Sequence, residues 1–258
     1  MTDLHGSMCE PILRTEAVSR RFGGLFAVRD VTFALAERGL HAVIGPNGAG
    51  KSTFVNLLSG QVQPSGGRIL LRGQDVSGLP AWRFPHLGVT RSFQRTNIFK
   101  SFTVHENVRL AAQATRVFGK DIFLTARRVA HLSEIADQAI ERVGLADQRA
   151  TAAGILSHGA QRQLEIAMTL AVEPQVILLD EPLAGMGQDE SERMAALMSG
   201  LAEDHAVLLI EHDMDFVFQV ADLMTVLVEG KILATGTPED IRRNAAVQAA
   251  YLGDSNVH

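Results

Sequence analysis

The strongest chemistry in this sequence lies in Gly45-Pro46-Asn47-Gly48-Ala49-Gly50-Lys51-Ser52-Thr53, which meets the spacing G-x-x-x-x-G-K-[ST] at every required position. The residue types explain what such a loop can do. Glycines let successive backbone N–H groups turn inward on a polyphosphate. Lys51 can reach its β- and γ-phosphates, and the Ser52 hydroxyl can ligate Mg²⁺. A helix beginning here aims its positive end at the anion. The pattern needs a strand before it and a helix after it. Leu40, Ala42, Val43 and Ile44 supply the first, and Phe54, Val55, Leu57 and Leu58 the second.

A second group with chemical potential is Val176-Ile177-Leu178-Leu179-Asp180-Glu181-Pro182, four apolar residues running into two carboxylates. A strand leaving the core would deliver both acids at its C-terminal end, where ligands bind in open α/β sheets. Asp180 would hold Mg²⁺ directly or through water, and Glu181 would accept a proton from an attacking water. Between the two motifs, Leu156-Ser157-His158-Gly159-Ala160-Gln161 opens a helical stretch with Ser157 in the N-cap position. That helix start is a second place where an anion could be met.

These groups need a scaffold, and the hydrophobic pattern outlines one. Residues 12–19, 26–35, 40–44 and 68–72 read as strands, the last following the turn Pro64-Ser65-Gly66-Gly67, and a further strand is expected at 88–93. From 103 to about 143 the period becomes helical, which reads as a helical subdomain interrupting the sheet. Beyond Ser157, helix alternates with the short apolar runs 176–179 and 206–210, typical of parallel strands covered on both faces. A hairpin over 223–228 and 231–234 turns at Glu229-Gly230, and short helices are expected at 238–243 and 246–252.

Composition narrows the class. The chain has 258 residues, 46% hydrophobic and 21% charged, with a net charge of −5, so no basic stripe marks a nucleic-acid partner. Cys9 is the single cysteine, which fits a reducing cytosol. No run reaches the roughly 18 apolar residues of a membrane span. Residues 1–10 lack a basic start and an apolar core and read as a frayed leader rather than a secretion signal. Membrane association is therefore expected through a partner.

Taken together, the motifs resemble those of the ATP-binding subunits of ABC transporters, and the likeness runs from about Ile12 to the C-terminus. It implies an α/β P-loop NTPase fold: an ABC ATPase core of a mixed sheet plus a parallel RecA-like sheet, with an inserted α-helical subdomain. The expected division is a single domain over 11–258, with 11–94 and 157–258 as catalytic core and about 95–156 as the helical part. The resemblance also implies ATP and Mg²⁺ as the bound species. It casts Lys51, Glu181, Gln94 and His212 as catalytic, Ser52, Gln94 and Asp180 as metal-binding, and Phe22 as the aromatic that stacks on adenine. The segment 156–161 is similar to the family signature Leu-Ser-Gly-Gly-Gln, with His158 for the third-position glycine and Ala160 for the glutamine. Ser157 and Gly159 are retained, and by resemblance they cap the γ-phosphate held by an opposing ATPase subunit. The loop Leu183-Ala184-Gly185-Met186-Gly187-Gln188 lacks the aspartate usual at its end.

Several runs resemble the ATPases of branched-chain amino acid importers: Arg91-Ser92-Phe93-Gln94-Arg95-Thr96, Gln163-Leu164-Glu165-Ile166-Ala167 and Ala250-Tyr251-Leu252-Gly253. Urea or amide importers and the lipopolysaccharide-export ATPase share part of this pattern; a soluble ATPase of the iron–sulfur assembly type is the alternative outside transport, though its usual signature is not that of 156–161. A GTPase would need an N-K-x-D guanine reader, which the sequence lacks. The implied partners are a second ATPase subunit, transmembrane permease subunits that dock around 94–106 through Arg95, Ile98 and Phe99, and indirectly a solute-binding protein. The implied place is the cytoplasmic face of the inner membrane, as a peripheral subunit.

Overall fold

Chain order begins with an antiparallel pair, β1 (Leu13–Phe22) and β2 (Leu25–Leu35), in a computed structural model that describes residues 10–92, 97–116 and 126–252. β3 (Gly39–Ile44) then leads through the phosphate loop into α1 (Lys51–Leu58). β4 (Gly66–Leu71) and β5 (Gln74–Asp75) complete a four-stranded antiparallel sheet in the order β2-β1-β4-β5. Next come β6 (Val89–Arg91), the helices α2 (Val104–Ala114), α3 (Ala126–Arg142) and α4 (His158–Leu170), and β7 (Val176–Asp180). The chain continues with α5 (Gln188–Ala202), β8 (Ala206–Ile210), α6 (Met214–Val220) and the hairpin β9 (Leu223–Val228) and β10 (Lys231–Gly236). It closes on α7 (Pro238–Arg243) and α8 (Ala245–Leu252).

The second sheet has six strands in the order β10-β9-β3-β8-β7-β6, parallel throughout except at the β9–β10 hairpin. Its central strands β3, β7 and β8 are almost wholly apolar and buried because both faces are covered, and the pleat sends alternate residues to different cores. Leu40, Ala42 and Ile44 of β3, Ile177 and Leu179 of β7, and Val207 and Leu209 of β8 pack with α2 to α6 on one side. Val43, Val176, Leu178, Leu208 and Ile210 face the other way. There they meet Phe54, Val55, Leu57 and Leu58 of α1 and the inward residues of the antiparallel sheet. The phosphate-loop helix is thus clamped between two sheets.

Local chemistry sets the element ends. β1 runs past the expected residue 19 to Phe22 because Arg20, Arg21 and Phe22 keep pairing with Val28, Phe26 and Leu25 of β2. The helical stretch after 103 opens with a capping box: the Thr103 hydroxyl accepts from the Glu106 N–H at 3.1 Å, while the Glu106 carboxylate accepts from the Thr103 N–H at 2.8 Å. α4 opens on Ser157, whose hydroxyl accepts from the Ala160 N–H at 3.2 Å. α4 packs against both α2 and α3 as well as against the sheet. Residues 1–9 of the expected leader, Gln94 and Arg95 lie outside the described residues.

Candidate active site

The loop between β3 and α1 is shaped by two close backbone approaches. A Cβ on Gly45 would stand 2.1 Å from the Leu227 carbonyl of β9, and one on Gly50 would stand 2.2 Å from the Ala27 carbonyl of β2. Gly50, at φ 99°, is the N-cap of α1, and among the described residues no side chain caps this helix and no acid sits in its first turn. Its first-turn donors and positive end are left for an anion. The Lys51 ammonium donates to the carbonyls of Gly45 at 2.5 Å and Pro46 at 3.0 Å, curling over the loop. Ser52 and Thr53 follow on the first turn, Ser52 exposed and Thr53 half-buried. Burial pulls the Lys51 pKa below the usual lysine range, and the charges of Glu181 and Asp180 pull it back up.

Asp180 ends β7 and is 1% exposed. Its Oδ2 accepts from Arg91 Nη2 at 2.7 Å, and Arg91 Nη1 reaches on to Asn56 Oδ1 at 2.5 Å and Ser59 Oγ at 3.2 Å, both on or beside α1. The other oxygen, Oδ1, is buried and has no hydrogen-bond partner among the described residues. A buried carboxylate oxygen left over beside a phosphate loop suits a hard cation. Ser52 and Asp180 therefore fit a Mg²⁺ site.

Glu181 begins the next turn with φ 50°, a left-handed conformation for a residue with a side chain. Its N–H donates to the Ile210 carbonyl at 2.9 Å, which lashes the turn to the end of β8. Directly after β8 come Glu211 and His212. Glu211 is buried, whereas the His212 side chain is 70% exposed and projects beside it, with Nδ1 3.4 Å from Glu211 Oε2. Burial pushes the Glu211 pKa up, and the nearby Glu181 charge adds to this.

Ser157 and Gly159 line a separate pocket of about 210 Å³ with Ala160, Met186 and Glu190. No residue of the phosphate loop lines it. The Ser157 hydroxyl donates to Glu190 Oε1 at 3.3 Å, and His158 lies beside Gly185. Phe22 stands 48% exposed at the end of β1, with the Arg20 guanidinium 4.6 Å above its ring. Ile98 is partly buried against the core, while Phe99 is exposed and stacks on Phe102. Gln94 lies outside the described residues.

Four residues here carry no assignment in the sequence reading. Arg91, Glu190 and Glu211 are charges held by hydrogen bonds to other segments, and Tyr251 of α8 is a partly buried phenol that burial pushes up to about 12. A signal existed for Glu211 and Arg91: a charge directly against an apolar strand must find a partner.

The family model described as "ABC transporter" matches residues 28–184, and that for the branched-chain amino acid ATP-binding cassette transporter matches 231–255. The high-affinity branched-chain amino acid transport ATP-binding protein LivG of Salmonella typhimurium is 41% identical, over 96% of this chain and 100% of its own length. Protein BraF of Pseudomonas aeruginosa, with the same description, is 40% identical over the same shares. The lipopolysaccharide export system ATP-binding protein LptB of Haemophilus influenzae is 32% identical over 94% of this chain. Among solved structures, the ADP conformation of MJ1267, an ATP-binding cassette of an ABC transporter, superposes with a TM-score of 0.81 at 27% identity. It covers 94% of this chain and 99% of its own.

Proposed function

We propose a working cycle from one premise: this chain belongs to the ABC transporter family, as one of its ATP-binding, ATP-hydrolysing subunits. The importer it powers carries branched-chain amino acids. The 40–41% identity to LivG and BraF over nearly the whole chain and the match at 231–255 favour this cargo over lipopolysaccharide, whose ATPase relative stands at 32%.

ATP lies with its phosphates in the loop from Gly45 through Pro46, Asn47, Gly48, Ala49, Gly50, Lys51 and Ser52 to Thr53, and its adenine against Phe22. Ser52, Asp180 and Gln94 hold Mg²⁺, which when bound neutralises phosphate charge. Glu181 takes a proton from water as the water oxygen bonds to the γ-phosphorus and the bond to the bridging oxygen of ADP breaks. Lys51 and His212 hold the transferred group in line, so that most of the acceleration is positioning and charge neutralisation. Ser157 and Gly159 come from the second ATPase subunit. In support, the pocket containing them is lined by no residue of this chain's own phosphate loop.

The permease subunits dock around 94–106, through Arg95, Ile98 and Phe99 and a groove of about 490 Å³ that Asn97 helps to line. Trp82, Phe84 and Pro85, Ala111 and Ala114 of α2 and Met168 of α4 line the groove. Its apolar walls suit a short amphipathic helix. Among the described residues no helix is long and apolar enough to cross a membrane. The subunit then sits on the cytoplasmic face of the membrane, held by that contact.

The observation that carries the reading is the place of Asp180, at the end of β7 and linked through Arg91 to Asn56 of the phosphate-loop helix α1. With the chain assembled on its permease, Glu181→Gln keeps Mg·ATP binding and loses about 100-fold or more in turnover, the usual contribution of a positioned proton acceptor. Leucine uptake into vesicles falls with it. Hydrolysis near the wild-type rate would remove Glu181 from the reaction.

A further inference from the structure

Glu211 takes no part in the cycle just described, yet it is buried and each of its oxygens accepts from a backbone N–H. Its side chain is 0% exposed. Oε1 accepts from the Leu183 N–H at 2.9 Å, in the loop that follows Glu181, and Oε2 accepts from the N–H of His212 at 3.0 Å. The same turn is tied twice more: the Glu181 N–H donates to the Ile210 carbonyl at 2.9 Å, and the Ala184 N–H donates to the Glu181 carbonyl at 3.3 Å. One carboxylate therefore spans the ends of β7 and β8, and each of its oxygens fixes a different loop.

The chemistry of the group matters. Only an ionised carboxylate offers two acceptors to two facing N–H groups; a glutamine offers one acceptor and turns a donor toward the other N–H. A group kept charged in a buried place is costly unless both oxygens are used. Glu181 also needs outside support, since its left-handed backbone at φ 50° persists only where neighbouring contacts over-determine it.

We propose that Glu211 is a positioning residue that sets His212 and the Glu181 turn in register, so that the proton acceptor and the γ-phosphate contact move as one unit. The proposal rests on the roles given to Glu181 and His212 above. Its test is a double-mutant cycle on the assembled transporter, reading kcat, KM and the Kd of a fluorescent ATP analogue with Mg²⁺. Glu211→Gln should lower kcat about 30-fold, the scale of a slightly misplaced reacting group, and leave KM and Kd within about 2-fold. In a His212→Ala background the same substitution should cost clearly less than about 30-fold, because one of the two groups it positions is gone while the Glu181 turn remains. Glu211→Ala, compared by thermal midpoint, should repeat the kinetic split even if it is less stable.

Three results would overturn the proposal: kcat within about 3-fold of wild type, kcat and Kd deteriorating together, or losses that multiply across the cycle. A slow His212→Ala complex beside a fast Glu211→Gln complex overturns this proposal alone. A His212→Ala complex with wild-type turnover overturns the role of His212 and this proposal with it.

Discussion

Asp180 uses its two oxygens differently, and the difference links stability to function. Oδ2 is neutralised by Arg91, whose other nitrogen reaches Asn56 on α1, while Oδ1 stays buried with no partner among the described residues. Breaking such a buried pair from one side strands a charge, at a cost of about 3–5 kcal/mol. Arg91→Leu should therefore lower the thermal midpoint by about 6–20 °C, at roughly 2–4 °C per kcal/mol for a chain of this size or a little smaller. Mg·ATP should recover part of the loss by giving Asp180 a new counter-charge. Differential scanning fluorimetry with and without Mg·ATP decides it, and a variant within about 2 °C of wild type would show that the pair carries little. The carboxylates themselves were legible in the sequence because phosphate chemistry dictates their type and place. Arg91 was not, because its partner lies 89 residues away and only the pairing of β6 with β7 brings the two together.

At the scale of elements, two glycines of the phosphate loop look alike in sequence and differ in what surrounds them. Gly48 has φ 78° with nothing near a Cβ built on it, whereas Gly50 has φ 99° with the Ala27 carbonyl 2.2 Å from its Cβ position. Gly48→Ala should cost only the left-handed backbone penalty, about 1–2 kcal/mol. Gly50→Ala adds a collision with β2 backbone, a further 1–3 kcal/mol or so, since that carbonyl cannot swing aside like a side chain. Urea denaturation without nucleotide should rank them in that order, and equal midpoints would mean that β2 yields. The same logic marks what the sequence could and could not convey. Strands β3, β7 and β8 and the helix after Ser157 were readable because burial on fixed faces imposes a period. The contact of His158 with Gly185 was not readable: the bulky third residue of 156–161 and the unusual loop 183–188 are separate oddities in sequence and neighbours in space. Glu190 is likewise a helix-start acid whose reach to Ser157 needs the packing of α5 against the start of α4.

At the scale of the molecule, the two sheets and α1 meet through three rings. Phe33 of β2 lies 4.6 Å from the ring of His41 on β3 and 5.3 Å, edge-on, from Phe54 of α1. His41 is 4% exposed, and its Nε2 is 2.8 Å from the Thr225 hydroxyl of β9. Burial lowers its pKa to about 4 from an ordinary value of 6.5. The unfolded chain then takes up the proton first, so stability rises with pH between these two values and the neutral-ring contribution is lost as pH falls through about 4. At about 1.4 kcal/mol per pKa unit, protonation would remove about 3 kcal/mol of contact between the sheets. Glu165 and Glu211, whose pKa values burial raises, act in the opposite sense, so the whole-protein pH curve blends several groups. A His41→Gln variant keeps those acids and removes only the ring. Denaturation of wild type and variant at steps from pH 7 to pH 4 should therefore show their stability difference shrinking toward acid by about 3 kcal/mol. A difference that stays constant over that range would mean that the ring between the sheets does not titrate there, and that the joint between them is insensitive to acid.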